Sequence, residues 1–252
     1  MYPILHELLR DRGGEVLFTC FGRWHLGYLV LIFSAIGLAA RRFSRMDSKK
    51  LQRRLDCWSG IAFGMYLLDF FLMPLAYGYI DVEKLPFHVC TAMCVMCFLS
   101  SRNPKLTRYR GAFAMLGFVS NFVYLIYPAG VMWHRVHPLS YRAVQTLLFH
   151  GVMTGGTLLF LLFGQTIPDT RDILRVTAGM TLWALAGNIL YGGFAPEMNW
   201  FFLVRDPFYL LPETAAPFVM PFVNVGLFFA VQLALRGLLR KFRAGKDSVK
   251  DA

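Results

Sequence analysis

Seven long apolar runs, separated by short charged or proline-containing stretches, constrain this chain more than any other feature. They lie at about 25–40, 57–79, 87–100, 109–127, 141–163, 174–191 and 217–239. Most approach the roughly 20 residues that cross a bilayer as helix. In hydrocarbon the backbone must satisfy its own hydrogen bonds, so such runs are helical. Composition agrees: 56% of the 252 residues are hydrophobic and 16% charged, too little charge to coat a soluble domain of that size. The expectation is an all-α, multi-pass protein of the cell membrane, with seven transmembrane helices forming a single helical domain over 1–252. The third run is short, so its first turn is expected to be irregular or to start inside the protein. Pro86 suits that start, because the N–H it lacks is unpaired at a helix beginning anyway.

The net charge of +11 is not a nucleic-acid signature, because its distribution follows the runs. Of the 26 Lys and Arg, 19 fall on one set of alternate loops and 7 on the other. Residues 41–54 and the stretch 236–246 dominate the first set. The positive-inside bias then gives an N-terminus outside and a C-terminus inside. The basic residues orient the chain and meet anionic lipid heads. Membrane lipids are the expected partners, and nucleic acid is not. Residues 1–22 hold an apolar stretch too short to span, read as an interfacial segment. Residues 240–252 are read as a basic cytoplasmic tail. Between the last two runs, 192–214 mixes aromatics and prolines with Glu197, Arg205, Asp206 and Glu213. It is read as a lid over the outer mouth or a re-entrant piece, with Trp200 and Tyr209 at the interface.

Cys90, Cys94 and Cys97 are spaced as in some iron–sulfur proteins. On a continuous apolar helix they form a stripe about 60° wide that rises along one side instead of converging on a point. Cys94 and Cys97 are read as small packing residues. No metal or cofactor is expected. The H-x-x-H pair of His134 and His137 lacks a neighbouring third ligand, so it reads as a solvated loop. With five cysteines lying mostly in or beside spans, a disulfide framework is not expected.

Polar side chains inside a bilayer are costly and mark functional sites. At 1.5 Å per residue, His88, Asn121, Asn188 and Asn224 all fall in the outer half. Gln145 enters the fifth span by one turn, and His150 lies roughly 13 Å deep. Asp69 is near the middle of the second span. The inner half has chiefly Gln232. Five helices thus bring polar groups to one level, which implies an outward-facing cavity. On a regular helix His88 is about 160° from Cys90, whereas Thr91 shares its face.

The stretches "LPFHVC" (85–90), "HPLSYRAVQTLLFHG" (137–151) and "GNILYGGFAPEMNWFFLVRDPFY" (187–209) resemble the YwaF-type bacterial integral membrane proteins. They also resemble their relatives, the transmembrane-protein-164 acyltransferases. The resemblance covers roughly residues 80 to 215. It implies acyl transfer between phospholipids through a Cys that stands beside the His of the third span. Here Phe87 occupies the position of that Cys and His88 that of the His. Thr91 matches a threonine of the relatives, and His150 their histidine of the fifth span.

Together these features suggest a cavity that handles a lipid or amphiphile, with acyl transfer or ester hydrolysis as the candidate chemistry. Thr91 or Cys90 is the candidate nucleophile, and His150 or His88 the base. Asn188 and Asn199 are candidate oxyanion donors. Asp69, Asn121 and Gln145 are candidate substrate contacts. The competing reading is a transporter or binding protein for a small polar solute, which inverted repeats would favour. None is visible.

Overall fold

The computed structural model describes residues 16–77, 82–133, 135–164, 167–192, 199–205 and 210–250. Its long elements are α1 (Arg23–Phe43), α2 (Ser48–Tyr77), α3 (Val89–Ser100), α5 (Arg110–Ile126), α7 (Tyr141–Phe163), α8 (Thr170–Tyr191) and α9 (Ala216–Lys250). Short helices α4 (Pro104–Thr107) and α6 (Ala129–Trp133) join their neighbours, and 3₁₀ turns form at Val82–Lys84 and Trp200–Phe202. No strand occurs among the described residues. Residues 1–15 of the expected interfacial segment lie outside them, as do His134, Glu197, Asp206 and Tyr209.

Local chemistry sets the helix starts. The Asp47 carboxylate accepts from the Lys50 N–H at 2.8 Å ahead of α2, and the Ser140 hydroxyl accepts from Ala143 N–H ahead of α7. Each satisfies a first-turn donor that has no partner within the helix. That backbone bond, ahead of a smaller opposing effect of burial, holds the Asp47 carboxyl below its ordinary range. Pro104 opens α4 behind the Asn103 cap. Beyond the expected spans, α9 continues as one helix through the basic stretch to Lys250.

Among the described residues six helices are long and apolar enough to cross a membrane. The exception is α3, whose 12 residues reach only about 18 Å of a hydrocarbon layer about 30 Å thick. The chain reaches it through the Val82–Lys84 turn and an extended His88 (φ −71°, ψ 142°), with Phe87 and Val89 buried. The third span therefore begins inside the protein.

Large apolar side chains project outward as well as inward, as at Leu38, Ile189, Phe218 and Phe222, each at least 70% exposed. Polar residues Asp69, Asn121, His150, Asn188, Asn224 and Gln232 are buried. At the centre α5 lies against α7; α3, α8 and α9 pack on α5, and α1 and α2 pack on α7. Close approach depends on small residues. A Cβ at Gly156 of α7 would lie 2.1 Å from the Trp58 ring of α2. That ring donates its Nε1–H to the Val152 carbonyl, so both bulk and a hydrogen bond fix the seam.

Candidate functional site

Two buried histidines differ in how many of their ring nitrogens are engaged. His25 uses both ring nitrogens. Its Nε2–H donates to the Leu125 carbonyl at 2.8 Å, and its Nδ1 accepts from the Phe21 N–H at 2.9 Å. His150 of α7 uses one. Its Nδ1 lies 2.7 Å from the Thr146 carbonyl, which can only accept, so the proton sits on Nδ1. Nε2 then carries a lone pair, and among the described residues that buried atom has no hydrogen-bond partner. The ring cannot easily turn away. Tyr124 of α5 stacks on it at 3.8 Å and 12°, and Phe149 meets it edge-on at 5.2 Å.

Charged groups lie buried on the elements packed near this ring. Tyr66 of α2, Cys94 of α3 and Phe149, the neighbour of His150 on α7, share one buried cluster. Lys84 forms a 2.7 Å ion pair with Asp69, the two side chains only 18% and 5% exposed. The Tyr66 hydroxyl donates to the Lys84 carbonyl at 3.0 Å and ties the 3₁₀ turn to α2. Three elements thus converge: Asp69 and Tyr66 from α2, Lys84 and His88 from the entry to α3, and His150 from α7. Sequence reading placed Asp69 as a substrate contact and missed Lys84. A lone lysine in "DVEKLPFH" looks like a loop charge until the loop is seen to fold inward.

The remaining candidates divide between free and committed groups. Thr91 donates its hydroxyl to the His88 carbonyl at 3.0 Å. Because α3 starts at Val89 and His88 is extended, the regular-helix comparison of His88 with Thr91 and Cys90 does not apply. Half-buried Cys90 sits one turn before buried Cys94, which packs with Ala62, Tyr66, Phe149 and Met153. Gln145 is half-buried at the start of α7, its Oε1 3.5 Å from the Thr146 hydroxyl. Asn121 is fully buried and donates to the Gly117 carbonyl at 2.7 Å, with its Oδ1 unpartnered among the described residues.

Asn188 and Asn199 hold backbone instead. Asn188 donates to the Ala184 and Trp200 carbonyls and accepts from the Trp200 N–H. Asn199 donates to the Arg205 carbonyl and accepts from the N–H groups of Val204 and Arg205. Asn224 donates to the carbonyls of Phe201 and Phe202. These amides pin 199–205 between α8 and α9. Trp200 is not at an interface but fully buried, 5.2 Å from the Phe87 ring.

Phe87 anchors an aromatic cluster with Trp183, Tyr191 and Trp200. Its ring sits over Gly187, where a Cβ would come within 2.5 Å of it. Phe87 is thus a core side chain, at the position where the resemblance implied a cysteine. Among the described residues no three His, Cys, Asp or Glu side chains gather as a metal site.

Fold and site together define a multi-pass helical membrane protein with a buried histidine and an ion pair inside its bundle. The TMEM164 family model matches residues 20–235, most of the chain, and the protein belongs to that family. No curated protein and no solved structure matches it.

Proposed function

We propose that the protein acts on the ester of a lipid or amphiphile from the membrane's outer half, by acyl transfer or ester hydrolysis with His150 as the base. The observation that carries this is the open Nε2 of His150, on a ring whose proton is fixed at Nδ1. A neutral imidazole in that tautomer takes a proton from a hydroxyl, thiol or water as it attacks an ester carbonyl. It returns the proton to the leaving alkoxide.

The Lys84 ammonium, buried at the entry to α3, is the proposed source of positive charge for a developing oxyanion. With the amides of Asn188 and Asn199 engaged by backbone, Lys84 is the better-placed candidate for that role. Its pair with Asp69 keeps the site close to neutral until substrate arrives. Membership of the TMEM164 family is compatible with lipid chemistry, and the residue at the position where the resemblance implied a nucleophilic cysteine is Phe87, which cannot attack.

An untargeted lipid profile of cells lacking the protein tests this reading. A changed acyl composition is the expected result. An unchanged profile with altered uptake of a small polar solute would replace it with the transporter reading, for which the Asp69–Lys84 pair would serve as a solute contact.

A further inference from the structure

Three buried polar atoms in the seam between α5 and α7 have no partner among the described residues: Asn121 Oδ1, Thr154 Oγ1 and His150 Nε2. Two contacts set the antiparallel register of this seam. Gly117 lies against Thr157, and Tyr124 stacks on His150. Moving four residues on from Gly117 places Asn121 opposite Met153 and Thr154. Thr154 is in turn one helical turn from His150, on the same face of α7. The three residues therefore fall within about one turn of each other along a single seam. Both Asn121 and Thr154 are fully buried, and His150 is 6% exposed.

The chemistry of the three is complementary to one small molecule. Nε2 and Oδ1 accept hydrogen bonds, while the Thr154 hydroxyl can donate one. They call for two hydrogens and one acceptor, which is what a single water provides. Groups left unpaired at this depth are costly, and buried water is the usual remedy. We propose that this seam binds one water, and that this water is the attacking nucleophile, so that the protein is an ester hydrolase forming no acyl-enzyme. This inference rests on the reading of His150 as the base.

Of the two candidate nucleophiles, the Thr91 hydroxyl donates to the His88 carbonyl, and half-buried Cys90 is the competitor that a search for an acyl adduct tests. In the step, the water oxygen bonds to the ester carbonyl carbon while one of its O–H bonds breaks and that proton passes to Nε2. The carbon–oxygen bond to the leaving group then breaks, and the alkoxide takes the proton from Nε2. A carboxylic acid and an alcohol leave, and nothing is oxidised or reduced. Asn121 and Thr154 are positioning residues that hold the water.

The test uses the full-length protein in lipid nanodiscs with p-nitrophenyl butyrate as probe. Thr154→Val and Asn121→Leu are each expected to lower kcat by about 10² with KM little changed, since they misplace the attacker and not the ester. Thr154→Ser should restore most of the rate, which a merely structural threonine would not require. No burst of p-nitrophenol and no butyryl adduct on the chain should appear. A stoichiometric burst with an adduct, or wild-type kcat in both variants, overturns the water while leaving His150 as base if His150→Gln is still inactive. A wild type inert to the ester, or an active His150→Gln, overturns both readings. If Asn121→Leu does not fold, a high-resolution map of the wild type decides. A water bridging the three atoms supports the inference, and Asn121 and Thr154 turned to different neighbours contradicts it.

Discussion

At the scale of single residues, burial separates the ionised groups that matter from those that merely orient the chain. Asp69 and Lys84 form a pair inside the bundle, so each neutralises a charge that is otherwise very costly there. Asp69→Asn or Lys84→Met should each lower stability by about 3–5 kcal/mol, the cost of stranding one buried charge. Replacing both with apolar residues should recover most of it. Thermal unfolding in detergent measures this; additive losses in the double variant would show that the two do not act as a pair. The cysteines behave differently. Cys94→Ala and Cys97→Ala remove small buried groups and should cost about 1 kcal/mol each, with unchanged turnover and metal content. Near-stoichiometric iron, lost on either substitution, would contradict that. His150 and Asp69 were legible in the sequence because a titratable residue in an apolar run is conspicuous. Thr154 was not, since a threonine in a membrane helix usually bonds its own preceding turn, as Thr157, Thr177 and Thr181 do here.

At the scale of elements, runs of apolar residues located the spans well, with α7 falling at 141–163 as expected. The shortness of the third run also pointed to an irregular start for α3, though not to its form: His88 is extended and Lys84 lies on a 3₁₀ turn, where helical periodicity has no meaning. Nor did the amides of Asn188, Asn199 and Asn224 announce their task. Each looks like a site residue in sequence, and each is engaged by the backbone of 199–205 because that segment leaves its carbonyls and N–H groups without helical partners. This gives the aromatic cluster a mechanical role. Phe87→Ala should cost about 3–5 kcal/mol through the cavity left between α3 and α8. Protease sensitivity near 199–205 should rise with it, because Trp200 loses its neighbour. Unchanged melting and unchanged proteolysis would mean that the cluster does not brace the segment.

At the scale of the whole molecule, the division of 19 basic residues from 7 predicts the N-terminus outside and the C-terminus inside. A reporter at the C-terminus should behave as cytoplasmic, and an external signal would move the site to the inner half. In either orientation the bundle is apolar on its outer surface and buries His150 in its interior, with Nε2 unpartnered among the described residues. A direct comparison of wild type with His150→Gln in lipid nanodiscs, for ester turnover and ligand binding, tests that nitrogen's role. Glutamine keeps size and some hydrogen bonding but removes the base. Turnover should fall by roughly 10²–10⁴ while binding and folding survive. Wild-type turnover in His150→Gln would contradict it, and weakened binding in a protein with no turnover to lose would turn the site into a solute pocket.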